Sequence, residues 1–122
     1  MRDRLCHNFF FAQTHLDQLE ETAAENKDVL FRSESLAKTL NDHDIPVLTI
    51  TSNVDNAVPA ISDRSIVILT SRVHPGETNA SWIMKGLLDF LVGASSEASE
   101  LRSRFLFKIV PMLNVEGVIN GW

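Results

Sequence analysis

The stretch SIVILTSRVHPGETNASW, residues Ser65 to Trp82, decides how this chain folds. It begins with a β-branched apolar run and ends in a helix-like stretch, and a Pro-Gly pair stands between the two. A continuous apolar run of this length is typical of a strand covered on both faces, and Pro-Gly marks a tight turn. The stretch therefore predicts a buried strand over Ile66–Leu69, a turn at Pro75-Gly76, and a helix that starts near Thr78.

Apolar residues recur with a helical period after that turn. The positions i, i+3, i+4 and i+7 are held by Met84, Leu87, Leu88 and Leu91. Such spacing places the four side chains on one stripe of a helix, and Gly93 ends the pattern. The sequence predicts a helix over residues 78–92 with one buried face.

The other elements follow from capping, turn and alternation signals. An amphipathic helix is predicted from a capping pair at Thr14 and Asp17 to about Asn26. A second, short helix is predicted from a cap at Ser95 or Ser96 to Arg104. Strands are predicted at 28–32, 45–51 and 105–110, with Pro46 near the start of its strand, and loops at 52–62 and 114–121. Strands interleaved with helices indicate a layered α/β fold.

The bulk properties exclude several classes of protein. The chain has 122 residues, 44% of them apolar and 22% charged, which fits one globular domain and disfavours disorder. A net charge of −5 without basic clusters argues against nucleic acid or an anionic membrane as partner. Cys6 is the one cysteine, which fits a reducing compartment. The N-terminal stretch makes a poor signal peptide, and no apolar run reaches the length of a membrane span. These properties predict a soluble, intracellular, globular protein.

His74 and Glu77 stand three residues apart where the buried strand ends. Ligands of α/β sheets gather beyond the carboxyl ends of the strands, and a catalytic zinc site uses nitrogen and oxygen ligands that converge on one ion. We expect the turn to fold Glu77 back toward His74, with Gly76 supplying a backbone conformation that other residues resist. A carboxylate near a helix N-terminus is also favourable.

A simpler interpretation of the same pair stands beside this one. A His-x-x-Glu spacing occurs by chance in many proteins, so Glu77 can be an acidic residue of the first helical turn and His74 an ordinary loop residue. The remaining candidate ligands are predicted to be solvated or packed side chains: Cys6, His7, His15 and His43.

The wider sequence resembles one family. The block RVHPGETNASWIMKG, Arg72 to Gly86, closely resembles the zinc-binding block of the cytosolic carboxypeptidases, the tubulin-deglutamylating branch of the zinc metallocarboxypeptidases. A second block, FKIVPMLN at Phe107–Asn114 followed by GVING at Gly117–Gly121, resembles the next motif of that family. The stretch PVLTIT at Pro46–Thr51 resembles its early strand. The resemblance spans most of the chain from about Thr14.

The resemblance implies a fold, a metal and a reaction. His74 and Glu77 would be two of three zinc ligands in an α/β fold whose mixed sheet is flanked by helices. The implied reaction removes C-terminal amino acids, with zinc and a general-base glutamate activating water. The implied substrates are acidic protein C-terminal tails, particularly glutamates added to tubulin, in the cytoplasm.

The chain departs from the family in two places. It has Asn114-Val115-Glu116-Gly117 where the family usually reads Asn-Pro-Asp-Gly, so this loop is expected to be set differently. The sequence ends at Trp122, before the family's arginine, its Asn-Arg pair, its third ligand (a histidine) and its catalytic glutamate. Residues 1–122 are therefore expected to form the first half of the catalytic domain, inactive alone, with an unpaired sheet edge beside Phe105–Val110.

Two functional hypotheses follow. In the first, the chain is part of a zinc carboxypeptidase, and none of its own residues is catalytic. In the second, it is a non-catalytic binding or regulatory module that keeps the first half of the fold. A reading frame that continues past Trp122 into the missing motifs would favour the enzyme. Residues that bind the substrate are not assigned in either case.

Overall fold

The computed structural model describes residues 2–53 and 59–121, with side chains from residue 12 onward. Its helices are α1 (Arg2–Glu25), α2 (Thr78–Val92), α3 (Ser96–Arg104) and α4 (Val115–Asn120). Its strands are β1 (Val29–Lys38), β2 (Asp44–Ser52), β3 (Ser65–Thr70) and β4 (Phe105–Val110), and a single 3-10 turn covers Ile61–Asp63. No helix within the described ranges is both long and apolar enough to cross a membrane.

The four strands form one mixed sheet in the order β1-β2-β4-β3. β2 is antiparallel to both β1 and β4, whereas β3 and β4 run parallel, with α2 and α3 in the connection between them. This confirms the predicted fold class, a mixed α/β sheet with helices. Because β3 and β4 are parallel neighbours, the segments that follow them emerge at the same edge of the sheet.

The hydrophobic core lies between α1, α2 and one face of the sheet. The sheet contributes Leu48 and Ile50 from β2 together with Phe107 and Ile109 from β4. The helices contribute side chains that are likewise almost fully buried: Leu19, Ala23, Met84, Leu88, Leu91 and Val92. Burying each large aliphatic side chain contributes about 1.5–3 kcal/mol, so this layer holds both helices against the sheet.

β3 differs from its prediction. The strand was expected to be covered on both faces, but Ile66 and Ile68 are 62% and 71% exposed. The alternate residues, Val67 and Leu69, pack against the core. The helices cover one face of the sheet, and successive side chains of a strand point to opposite faces. Ile66 and Ile68 therefore lie on the face that the helices leave open. The prediction of an unpaired edge beside Phe105–Val110 was also wrong, because β4 lies between β2 and β3, and within the described residues β1 and β3 form the two edges.

Several element boundaries also differ from the predictions. Helix α1 begins at Arg2, so Thr14 and Asp17 lie inside it and do not cap it. Strand β1 is twice as long as predicted because it pairs with β2 along Val29–Lys38. Residues 114–121 were predicted to be a loop, but Val115–Asn120 forms a helix, since the Asn114 side chain accepts a hydrogen bond from the Gly117 N–H at 2.9 Å.

Strand β2 begins at Asp44, so Pro46 is its third residue. In the predicted loop at 52–62, Ser52 ends β2 and Ile61 begins the 3-10 turn, while residues 54–58 lie outside the described residues.

The predictions for α2, α3 and β4 are confirmed. Helix α2 covers Thr78–Val92 with Gly93 at its end, and its buried residues follow the predicted stripe. The Ser95 hydroxyl caps α3 by accepting a hydrogen bond from the Ala98 N–H. Strand β4 has the predicted bounds. These elements are specified by short-range signals, which explains why the sequence sufficed.

Candidate metal centre

The turn between β3 and α2 carries the predicted ligand pair. The Glu77 N–H donates to the His74 carbonyl at 3.2 Å, which closes a four-residue turn with Pro75 in its second position. Gly76 was expected to supply a backbone conformation that other residues resist, but its φ is not positive, and a Cβ there would meet nothing within 4 Å. The residue with the left-handed conformation is Arg72, with φ 58°.

The turn brings the two predicted side chains together. His74 Nδ1 lies 2.9 Å from Glu77 Oε1, and the side chains are 74% and 55% exposed. This placement at the carboxyl end of β3 agrees with the prediction from the strand, turn and helix pattern. The assignment of a metal to the pair stays a prediction.

The geometry of the pair fits a zinc ion. Two ligand atoms at about 2.0–2.2 Å from one tetrahedral zinc ion are themselves about 3.3–3.6 Å apart. The observed 2.9 Å needs only a small opening, and both side chains are open to solvent. Among the described side chains, those of residues 12–53 and 59–121, however, no group of three or more from His, Cys, Asp and Glu could hold a metal. The described residues thus offer two ligands of a site that needs three.

A buried arginine lies against the turn. Arg72 is 1% exposed, and its Nε and Nη2 both donate to the Pro75 carbonyl, at 3.2 and 2.7 Å. Its Nη1 donates to the Ser81 hydroxyl on α2 at 2.5 Å. Burial lowers the pKa of the Arg72 guanidinium, and the charge of Glu77 acts in the opposite direction. Arg72 thus joins the turn to the first turns of α2.

The start of α4 contacts the turn from the β4 side. The Asn114 N–H donates to the Arg72 carbonyl at 3.1 Å, and Asn114 Nδ2 donates to the Val73 carbonyl at 3.2 Å. Gly117 lies so close to Pro75 that an added Cβ would collide with the proline ring. The segments after β3 and β4 therefore support each other.

Sequence reasoning missed the roles of Arg72, Asn114 and Gly117. All three belong to the blocks that carry the family resemblance, and asparagine is a preferred residue at a helix N-cap. Arg72 binds the Pro75 carbonyl only three residues away, whereas Asn114 and Gly117 contact residues about 40 positions distant in the sequence. No local pattern encodes such contacts, so only the tertiary structure reveals them.

The other candidate ligands lie away from the turn. His15 is buried, with Nε2 2.7 Å from Asp89 Oδ1 of α2. Asp89 is 12 residues beyond Glu77, about 18 Å along the helix axis. His43 lies between β1 and β2, where its N–H donates to the Thr39 hydroxyl. Cys6 and His7 belong to α1, but their side chains lie outside the described residues.

Glu116, the residue that departs from the family's aspartate, connects α4 to the segment between β1 and β2. Its Oε1 accepts hydrogen bonds from the side chains of Asn41 and Asn120. Hydrogen bonding from Thr39, with smaller contributions from Asn120 and Asn41, lowers the pKa of Glu116 despite the opposing effect of burial. The longer side chain thus has partners of its own, away from His74.

Comparisons with known proteins identify relatives of this chain. Over 111 residues the chain is 51% identical to cytosolic carboxypeptidase 1 from Xenopus laevis, a match that covers 88% of this chain and 9% of the relative. It is 49% identical over 112 residues to cytosolic carboxypeptidase 4 from Homo sapiens, covering 88% of this chain and 10% of that protein. The chain thus spans about a tenth of the length of these relatives.

The fold comparison points the same way. The crystal structure of a metallo-carboxypeptidase from Burkholderia cenocepacia superposes with a TM-score of 0.66 and 25% sequence identity, covering 85% of this chain and 27% of that one. Residues 16–122 match the family model described as zinc carboxypeptidase. Because that match takes in nearly the whole chain, including the turn with His74 and Glu77, the chain belongs to the zinc carboxypeptidase family.

Proposed function

We propose that His74 and Glu77 are two ligands of the catalytic zinc of a metallocarboxypeptidase, which removes C-terminal amino acids. The observation that carries the proposal is the 2.9 Å approach of His74 Nδ1 to Glu77 Oε1 at the carboxyl end of β3. An imidazole nitrogen and a carboxylate oxygen are the donor types of catalytic zinc sites. Both side chains are exposed and free to turn toward a common ion.

Two residues of this chain, His74 and Glu77, would hold the metal ion in place. A bound zinc ion supplies Lewis acidity toward a carbonyl and lowers the pKa of a water ligand. His74 must be neutral to offer its ring nitrogen, and Glu77 must be ionised. No residue of this chain is proposed as general base or third ligand. These 122 residues would form the first half of the catalytic domain, and the second half would supply those groups.

The proposed substrates are acidic protein C-terminal tails, such as the glutamates added to tubulin, and the proposed compartment is the cytoplasm. The support is the similarity to relatives named cytosolic carboxypeptidases. The net charge of −5 does not favour an acidic chain. The basic groups that recognise such a tail would therefore have to lie outside these 122 residues.

A zinc titration tests the ligand assignment. We expect the protein to bind zinc through the pair, and the shift of the His74 ring signals in NMR spectra to report the binding. His74→Ala and Glu77→Gln should each abolish that binding, whereas His43→Ala should leave it unchanged. Binding that is the same in His74→Ala as in the parent protein would refute the assignment.

A hydrolysis assay separates the enzyme from the non-catalytic module. We expect no zinc-dependent release of glutamate from a polyglutamate peptide by the 122 residues alone, because proton transfer and carboxylate recognition need further groups. A chain extended through the family's missing motifs should release glutamate, and His74→Ala should abolish the release. An extended chain that binds zinc but releases nothing would favour the binding module.

A further inference from the structure

The carbonyls of the two residues adjacent to His74 in the sequence accept hydrogen bonds from side chains that lie outside the four-residue turn His74–Glu77. The Val73 carbonyl accepts from Asn114 Nδ2, and the Pro75 carbonyl accepts from the guanidinium of Arg72. We infer that Arg72 and Asn114 are positioning residues that hold the His74–Glu77 pair in its convergent arrangement. The inference rests on the proposed function for its link to zinc.

Arg72 is suited to this role by its burial and its backbone. Its side chain is 1% exposed, and the guanidinium makes two hydrogen bonds to one carbonyl and a third to Ser81. Its φ of 58° is uncommon for a residue with a side chain, and such a conformation costs about 1–3 kcal/mol. Strained backbone of this kind persists where surrounding contacts hold it, and it clusters at functional sites.

Asn114 completes the support from the opposite side. Its N–H donates to the Arg72 carbonyl, its Nδ2 donates to the Val73 carbonyl, and its Oδ1 accepts from the Gly117 N–H. One side chain therefore caps α4 and holds the peptide that precedes His74. The two positioning residues are also joined to each other, through the Asn114 N–H.

The ligands themselves have little to hold them. His74 and Glu77 are mostly exposed, so without support their turn would sample many conformations, and metal binding would have to order it. Groups that orient metal ligands typically change metal affinity by about 10- to 100-fold when they are removed. We expect an effect of that size from either residue.

A merely structural role is the competing explanation, and the chain offers a matched control. Arg102 is also 1% exposed, and its Nη1 donates to the carbonyls of Leu91 and Gly93. These contacts lie at the far end of α2, away from the turn. Arg102→Lys should therefore lower stability much as Arg72→Lys does, without changing the ligand pair.

Two conservative variants isolate the proposed contacts. Arg72→Lys keeps a positive charge but loses the planar fork that binds the Pro75 carbonyl. Asn114→Asp keeps an oxygen to cap α4 but loses the donor to the Val73 carbonyl. The measurements on the 122-residue chain are its zinc affinity, its melting temperature, and the exchange rate of the Glu77 amide hydrogen without metal.

Three results together would support the inference. Arg72→Lys and Asn114→Asp should each weaken zinc binding by about 10- to 100-fold. Both should accelerate exchange of the Glu77 amide, which donates to the His74 carbonyl. Arg102→Lys should change neither the zinc affinity nor the exchange rate of the Glu77 amide, even when its melting temperature falls by as much as those of the other two variants.

Other results would overturn the inference or the proposed function separately. Unchanged Glu77 exchange in both variants would overturn the inference whether or not zinc binds. Faster exchange with parent-like zinc affinity, in a protein whose His74→Ala variant has lost binding, would overturn it too. If the parent protein and His74→Ala bind zinc equally, the proposed function fails, and the exchange rates alone decide whether Arg72 and Asn114 position the pair.

Discussion

Gly117 and Pro75 lie in direct contact, with no room for a side chain at position 117. A Cβ built on Gly117 would collide with Cγ of Pro75, and Oδ1 of Asn114 would lie only 2.7 Å away. The first turn of α4 can therefore approach the His74–Glu77 turn this closely only because residue 117 is glycine. The contact joins the segment after β4 to the segment after β3.

Gly117→Ala should therefore destabilise the protein. The added methyl must displace either Pro75 or the Asn114 cap, and overpacking of this kind costs about 1–3 kcal/mol. Gly76→Ala is the matched control, because a Cβ there meets nothing within 4 Å. We expect the control to be neutral or slightly stabilising in a thermal melt. Equal melting temperatures of the two variants would contradict the close contact.

The left-handed backbone of Arg72 predicts an unusual order of stabilities. Arg72→Gly and Arg72→Ala both remove the guanidinium, but only glycine accepts φ 58° without strain. We expect Arg72→Gly to be more stable than Arg72→Ala by about 1 kcal/mol. Urea unfolding at neutral pH measures the difference. An alanine variant as stable as the glycine variant would mean that residue 72 does not hold this conformation.

The pair formed by His15 and Asp89 predicts a pH-dependent contribution to stability. Asp89 accepts from His15 at 2.7 Å and from Lys85 at 2.5 Å. Burial acts to raise the pKa of Asp89, but the hydrogen bonds from Lys85 and His15 outweigh it and leave the pKa lowered. The carboxylate is thus favoured in the folded protein.

A lowered pKa in the folded state stabilises the protein above the unfolded pKa of about 3.9, and this contribution is lost as the pH falls through the folded pKa. Asp89→Asn should be less stable than the parent protein at pH 6, and the difference in stability between the two should narrow below about pH 4. Asp17→Asn, an exposed position on α1, is the control. Melting temperatures from pH 2 to 7 measure the effect, and a difference that stays constant would contradict it.

The two faces of the sheet should respond differently to truncation. Ile109 of β4 is fully buried under the helices, whereas Ile68 of β3 is 71% exposed. Ile109→Ala should lower the free energy of unfolding by about 2–5 kcal/mol. Ile68→Ala should lower it by less than about 1 kcal/mol, the range of strand propensity. Denaturant unfolding measures both changes. Similar losses of unfolding free energy in the two variants would mean that both faces of β3 are covered.

The sequence by itself determined the local elements and the placement of the ligand pair. Helix α2, the Ser95 cap of α3 and strand β4 follow from periodicity and capping, which act over a few residues. His74 and Glu77 meet because only three positions separate them and the hydrogen bond from the Glu77 N–H to the His74 carbonyl closes the turn between them. The interactions that decide these features all lie within a short stretch of sequence.

Only the tertiary structure decided what surrounds that pair. It placed β3 at the edge of the described sheet and exposed Ile66 and Ile68, although their run reads as fully buried. It also brought Asn114 to the Val73 carbonyl, and it set the left-handed backbone at Arg72 while Gly76 has no positive φ. These features depend on strand order and on contacts between residues far apart in the chain, and the free energy of such contacts depends on the whole packed fold.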